Sequence, residues 1–284
     1  MEHFKHFFEG RKILIATKHQ KEMVIGPLLV KNLGLSVWVP DHFDTDEFGT
    51  FTGEIERGNN PIAALRNKCL KAMEDVGYDL CIASEGSFGP HPNWYFLPAD
   101  DELVMLIDHR NGLELMAREI STDTNFSSEK IFLWHNLEDF ANRINFPSHA
   151  LILRNNQKPN EQIVKGIIDW KQLRNVFEKM KQSSGSVTVE TDMRAMFNPT
   201  RMKVIEKATL NLIDLIKNCC PSCNTPGFGI SEIIPGLPCE QCSHPTQSPL
   251  AAIYSCNKCK FTAEKKFPQD KKFQDPMFCD FCNP

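Results

Sequence analysis

The chain has 284 residues, with 32 basic and 36 acidic side chains and a formal net charge of −4 when histidine is neutral. That mild acidity argues against a protein that grips phosphate backbones along its whole length. No stretch approaches the ~18 consecutive apolar residues of a membrane span. Met1 to Lys12 carries charges and no apolar core of a secretory signal, so a cytoplasmic protein with no membrane partner is expected.

Over the first 218 residues apolar runs alternate with helical patterns, which predicts an α/β domain with a sizeable core. Lys12 to Thr17 reads as a short buried strand, Gln20 to Leu33 as a helix closed by Gly34, and Leu35 to Val39 as the next strand. Asn60-Pro61 opens a second helix with proline in its first turn. Ile62, Leu65, Cys69 and Met73 share its inner face, and Gly77 ends it. Tyr78 to Ser84 reads as a strand buried on both faces. Glu102 to Asp108 and Leu113 to Ile120 make a hairpin around Asn111-Gly112. Ala150 to Leu153 and Val187 to Glu190 are further strands. Trp170 to Lys181 and Thr200 to Lys217 are further helices.

Polar residues gather where an α/β protein places sites, at strand ends and the loops that follow. Thr17-Lys18-His19-Gln20-Lys21-Glu22 joins strand to helix, and a helix start flanked by lysines suits an anion. An ordinary helix cap with surface lysines explains the same residues. The loop from Asp41 to Glu54 holds five acids and three threonines. Asp44 and Glu54 are its candidate ligands for a hard cation, against the plainer reading of a solvated acidic loop. Ser84-Glu85-Gly86-Ser87 follows directly on a buried strand. Glu85 there is a candidate metal ligand or general base, or a carboxylate turned to solvent. Arg194 and Arg201 can bind a phosphate, or pair internally with Glu190 and Asp192, and the internal pairing is favoured.

Eight of the eleven cysteines form four C-x-x-C pairs within the last 66 residues: Cys220/Cys223, Cys239/Cys242, Cys256/Cys259 and Cys279/Cys282. Two thiolates three residues apart can face one tetrahedral metal from a tight turn, so four turns make two sites. Intervals of fifteen residues after Cys223 and nineteen after Cys259 fit zinc-ribbon spacing, and favour two tandem four-cysteine sites over 219–284. Thirteen residues after Cys242 leave a nested or cross-braced pairing open. A disulfide framework is the weaker alternative in a reducing compartment. Zinc held by four thiolates has no open position, so both zinc ions are expected to be structural. From Cys219 onward six lysines balance six acids. The lysines cluster over 258–272, interleaved with Phe261, Phe267 and Phe273, as in a nucleic-acid footprint or the solvated face of a hairpin.

Seven separated motifs carry a resemblance: ATKHQKE (16–22), FDTDEFGTFTGE (43–54), ASEGSFGPHP (83–92), STDTNF (121–126), FPSH (146–149), ETDMRA with NPTRM (190–202), and the CPSC…PGLPC tail. Together they resemble a bacterial domain-of-unknown-function family, number 6671. The N-terminal part also resembles, more distantly, the inosine/xanthosine triphosphate pyrophosphatase superfamily. Ala16-Thr17 leads to Lys21, Asn67 leads to Lys71-Ala72, and Ala83-Ser84-Glu85-Gly86 ends a strand. Lys68 replaces the alanine usual in the second motif, the asparagine usual after Ala-Thr is absent, and one acid ends the strand.

That second resemblance implies a mixed-sheet ITP pyrophosphatase-like fold over 1–218 and a magnesium-dependent nucleotide hydrolase. Taken with the polar segments above, it gives catalytic roles to Glu85 and Lys21, and phosphate contacts to Thr17, Lys18, Arg66, Lys71 and Ser84, with magnesium held by Glu85 and the acidic-loop residues Glu54 and Asp44. The substrate class is a small phosphorylated molecule. The rival expectation is a non-enzymatic scaffold whose zinc ribbons bind nucleic acid or protein.

Overall fold

A computed structural model describes residues 3–17, 19–40, 60–155 and 162–284. They fall into two compact units, Gly10–Leu212 and, separately, the chain up to Glu9 together with Ile213–Pro284. No described helix is long and apolar enough to cross a membrane.

After a short helix α1 (Lys5–Phe8), the Gly10–Leu212 unit begins with β1 (Lys12–Ala16), α2 (Glu22–Leu33), β2 (Ser36–Trp38) and α3 (Pro61–Val76). It continues through β3 (Leu80–Pro90), β4 (Pro98–Asp108) and β5 (Leu113–Ser121). These strands form one mixed sheet in the order β2-β1-β3-β4-β5. β1 runs parallel to β2 and β3, and the other neighbours are antiparallel. Local chemistry sets the helix ends. The Asn60 side chain accepts from the amides of Ile62 and Ala63 at 3.0 and 3.1 Å, and Pro61 supplies no amide that needs a partner. Gly34 and Gly77 close α2 and α3 in the left-handed conformation. Leu65, Cys69, Ala72 and Met73 of α3 pack on Leu14, Ala16, Cys81, Ala83, Leu103, Met105 and Ile107 of the sheet.

β3 and β4 are longer than the sequence pattern predicts. Residues 85–90 continue β3, paired with β4 down to Pro90 opposite Pro98. Glycine at 86 and 89 lowers strand propensity, but a full cross-strand register satisfies the backbone and overrides it.

A second sheet follows, from β6 (Ser128–Ile131), β7 (Leu151–Asn155), β8 (Gln162–Ile167) and β9 (Val187–Thr191), in the order β6-β9-β7-β8. Helices α4 (Trp134–Arg143) and α5 (Trp170–Ser184) pack on it through Leu137, Phe140, Leu173, Phe177 and Met180. β6, α4 and β8 are not among the elements expected from sequence. α4 carries a helical signal, Leu137, Phe140, Ala141 and Ile144, all buried. β6 has three exposed residues of four and is a strand only because β9 pairs with it. α6 (Pro199–Lys217) completes the helices.

In the C-terminal unit β10 (Gly229–Pro235), β11 (Pro249–Ser255) and β12 (Thr262–Lys266) form an antiparallel sheet in that order.

Candidate metal centres and active site

The two cysteine quartets are Cys220, Cys223, Cys256, Cys259 and Cys239, Cys242, Cys279, Cys282. The pairing is therefore interleaved, first pair with third and second with fourth, and the tandem pairing expected from spacing is incorrect. The sheet explains it. β10 and β11 pair antiparallel, Gly229 opposite Ser255 and Pro235 opposite Pro249. Cys220/Cys223 before β10 and Cys256/Cys259 after β11 therefore meet at one end. Cys239/Cys242 lie in the connection at the other end. β12 runs back there, Lys266 opposite Ala251, and leads to Cys279/Cys282.

Each pair sits in the same kind of turn. The amides of Asn224, Ser243, Lys260 and Asn283 donate to the carbonyls of Cys220, Cys239, Cys256 and Cys279 at 2.8–3.0 Å. Asn224, Ser243 and Lys260 adopt the left-handed conformation needed there. Sulfur separations are 3.6 Å for Cys220–Cys259, 3.7 Å for Cys223–Cys256, 3.9 Å for Cys239–Cys282 and 3.6 Å for Cys242–Cys279. A tetrahedron with Zn–S bonds of ~2.3 Å has edges of about 3.8 Å, so both quartets are dimensioned for zinc. The separations exceed a disulfide bond, and all eight thiols are free.

Electrostatics point the same way. The Thr225 hydroxyl, 3.2 Å away, and its backbone pull the Cys223 thiol down to about 6. At Cys259 the Phe261 backbone favours the thiolate, but desolvation and the neighbouring sulfurs push it up to about 11. In the second quartet the Cys242 backbone pulls Cys239 down to about 7, while the Cys242 sulfur and desolvation push Cys282 up to about 12. Crowded sulfurs ionise at each other's expense, and a divalent cation lifts that constraint. The core around the first quartet is small, with Phe228 the one large side chain buried beside Cys220 and Cys256.

In the α/β unit a cluster of charges is buried where the carboxyl end of β1 and the middle of β3, just past its pairing with β1, meet the start of α2. Lys21, 6% exposed, places Nζ 3.1 Å from the Ser84 hydroxyl and 3.8 Å from Glu102 Oε2. Lys68 reaches from α3 to Glu85 at 2.6 Å and to the Ser84 carbonyl at 3.4 Å. Arg201 of α6, fully buried, donates Nε to Glu102 Oε1 at 2.6 Å and Nη1 to the Met193 carbonyl, with its guanidinium 5.0 Å over the Phe88 ring. Gly86 faces Glu102 across the β3–β4 pair, and a Cβ there would collide with Glu102 Oε1 and Arg201 Nη2. Asp100 lies two residues from Glu102 on the same face of β4, with Oδ1 buried and lacking a hydrogen-bond partner among the described residues. Burial lowers Lys21 to about 8 against the pull of Glu102. Burial, with the Glu102 charge, raises Asp100 to about 8.

Those two shifts set a pH dependence. Between the ordinary Asp value and about 8, folded Asp100 keeps a proton that the unfolded chain has lost, so stability falls as pH rises. Between about 8 and the ordinary Lys value the unfolded chain keeps a proton that folded Lys21 has lost, so stability recovers. A minimum near pH 8 is expected. Asp100→Asn removes the descending limb and stabilises the α/β unit by a few kcal/mol at pH 8 but not at pH 4. Urea unfolding followed by tryptophan fluorescence checks this, since Trp38, Trp94, Trp134 and Trp170 all lie within Gly10–Leu212.

Of the site residues expected from sequence, Lys21, Ser84 and Glu85 come together, and Thr17 is buried at the end of β1. Lys71 lies on the exposed face of α3. Arg66 pairs with Glu114 of β5, which holds it outside the cluster. Lys18, Asp44 and Glu54 lie outside the described residues. Arg194 pairs with Asp192 at 2.7 Å as favoured, but Arg201 pairs with Glu102 rather than with Glu190 or Asp192. Lys68, Asp100 and Glu102 are not among the expected residues. Their signals are a lysine on the inner face of an amphipathic helix and acids alternating along an apolar strand. The motifs at 121–126 and 198–202 contribute to a polar cleft of about 300 Å³ lined by Asp123, Asn125, Arg143, Asn145 and Thr200. Asn198 donates to Asn125 at 2.8 Å, and His149 Nε2 lies 2.9 Å from the Thr200 hydroxyl.

The model of a family described as a domain of unknown function, DUF6671, matches residues 68–284. The match includes both cysteine quartets and, in the cluster, Lys68, Glu85, Asp100, Glu102 and Arg201. No curated protein matches the chain.

Proposed function

We propose that this chain, which belongs to the DUF6671 family, is a zinc-stabilised protein whose α/β unit binds and hydrolyses a small phosphorylated molecule, with a nucleoside triphosphate as the substrate class. The observation that carries this reading is Lys21, a buried lysine at the start of α2, hydrogen-bonded to Ser84 next to Glu85. Lys21 follows the carboxyl end of β1, a parallel strand, at a helix N-terminus, the place where an open α/β sheet takes anionic ligands. The turn before Lys21 holds His19 and Gln20, two successive non-glycine residues at φ 68° and 61°. Backbone strain of that kind gathers at ligand sites. The resemblance of residues 16–22, 67–72 and 83–86 to the inosine/xanthosine triphosphate pyrophosphatase superfamily supports the substrate class.

In this reading Lys21 neutralises the phosphate chain, and Lys68 holds Glu85 at the mouth of the cluster. Glu85 orients and deprotonates the attacking water. Among the described residues no three acids converge into a closed cation site. One or two carboxylates plus substrate phosphates are the usual way to hold magnesium, so Glu85 would share an ion carried in by the substrate, where it would offset phosphate charge. Glu102, Arg201 and Asp100 form the buried support behind Lys21.

A panel of nucleoside triphosphates with magnesium, read for both pyrophosphate and orthophosphate, tests the reading. Release is expected from at least one of them, reduced by about 100-fold or more in Glu85→Gln. Equal turnover by Glu85→Gln and the parent chain on every substrate would rule out this site.

A further inference from the structure

We infer that the second metal knuckle and the basic stretch leading into it form a binding surface for single-stranded nucleic acid, independent of the site in the α/β unit. Phe281, between ligands Cys279 and Cys282, lies parallel to the His244 ring, with centroids 4.5 Å apart and planes 4° from coplanar. Both rings are exposed. Phe273 and Phe278 are each more than half exposed. Phe273 is fixed beside the knuckle because Gln274 pairs with Cys239, donates to the Pro238 carbonyl and accepts from the Glu240 amide. Flat aromatic side chains held in place by a metal knuckle present faces on which unpaired bases stack.

The charge runs with the rings. Residues 265–273, which lead into the second knuckle, carry four lysines against Asp270 in a chain that is −4 overall. Lys265, Lys266, Lys271 and Lys272 are all exposed. The knuckle's exposed acids are Glu240, Asp275 and Asp280, of which Asp275 caps the Met277 amide at 2.8 Å. A protein interface gathers its aromatics into a charge-depleted centre. Here Lys265, Lys266, Lys271 and Lys272 lead directly into Phe273 and the knuckle rings, which sets phosphate-binding charges beside base-stacking faces. Lysines on β12 also guard a sheet edge, but that role accounts for neither Lys271 and Lys272 nor the stacked rings.

Fluorescence anisotropy with labelled oligo(dT) and oligo(U), on the zinc-loaded full chain, tests this. Both probes are expected to bind more tightly than a duplex of equal length. The logarithm of affinity should fall with the logarithm of salt at a slope of about −3 if four lysines meet phosphates. Phe281→Ala should weaken binding by about fivefold to a hundredfold, and Phe273→Ala likewise, while Phe281→Tyr keeps the stack. Neutralising Lys271 and Lys272 should halve the salt slope. Zinc content establishes that each variant is folded. Three outcomes overturn the inference: neither oligonucleotide binds at low salt, duplex binds as well as single strand, or the alanine variants bind like the parent. Self-association lost in Phe281→Ala without oligonucleotide binding would assign the face to a protein contact instead.

Discussion

Stripping zinc with a strong chelator is expected to unfold Ile213–Pro284 and leave the α/β unit folded. Structural zinc contributes on the order of 10–16 kcal/mol in model peptides, as much as the usual stability of a whole domain. Around the first site the C-terminal unit has little to set against that loss, since the buried core there is two ligand cysteines and Phe228. Amide protection across β10, β11 and β12 should vanish while tryptophan fluorescence stays constant, because no tryptophan lies beyond Trp170. Zinc content distinguishes the pairing as well. Replacing Cys220 and Cys256 together should remove one zinc ion, since both belong to one site. Replacing Cys220 and Cys239 should remove both. Tandem sites would reverse the two results. Acidification should release the metal too, because each ligand must be a thiolate.

Arg201→Met is expected to destabilise the α/β unit by about 3–5 kcal/mol, the range for removing one partner of a buried ion pair. Arg201 and Glu102 are both fully buried, and the substitution leaves a carboxylate out of water with Lys21 at 3.8 Å as its remaining cation among the described residues. Arg201→Lys should restore little. An ammonium cannot reproduce a guanidinium that donates to Glu102 and the Met193 carbonyl while lying over Phe88. Gly86→Ala should cost a similar amount, since its Cβ would enter the space the pair occupies. Arg201→Met with Glu102→Gln should recover much of the loss. Urea unfolding read by tryptophan fluorescence measures all four variants, with zinc content unchanged throughout. If Arg201→Met alone unfolds at the parent's urea midpoint, the pair contributes no net stability.

Features set by near neighbours along the chain are legible in the amino-acid sequence. Asn60-Pro61 and Gly77 bracket α3, Asn111-Gly112 turns β4 into β5, and each C-x-x-C predicts its own tight turn, because capping, turn and knuckle geometry act over a few residues. The burial of Cys69 and Cys81, and the meeting of Lys21 with Ser84 and Glu85, are also within reach of pattern and resemblance.

Tertiary structure alone decided which turns share a metal. Spacing cannot report it, because the pairing follows from β10 folding back on β11 and β12 returning beside it. The same holds for Arg201 and Glu102, 99 residues apart, and for Lys68, which reaches Glu85 from the helix where Lys71 is the residue expected to contact phosphate. A charge is paired inside a protein with whatever partner the packing brings near, and burial makes that partner obligatory. Sequence by itself thus specified two metal sites and a polar segment after Ala83 in an α/β frame, though not that β3 continues through it. Strand pairing and helix packing then determined which thiols and which charges complete them.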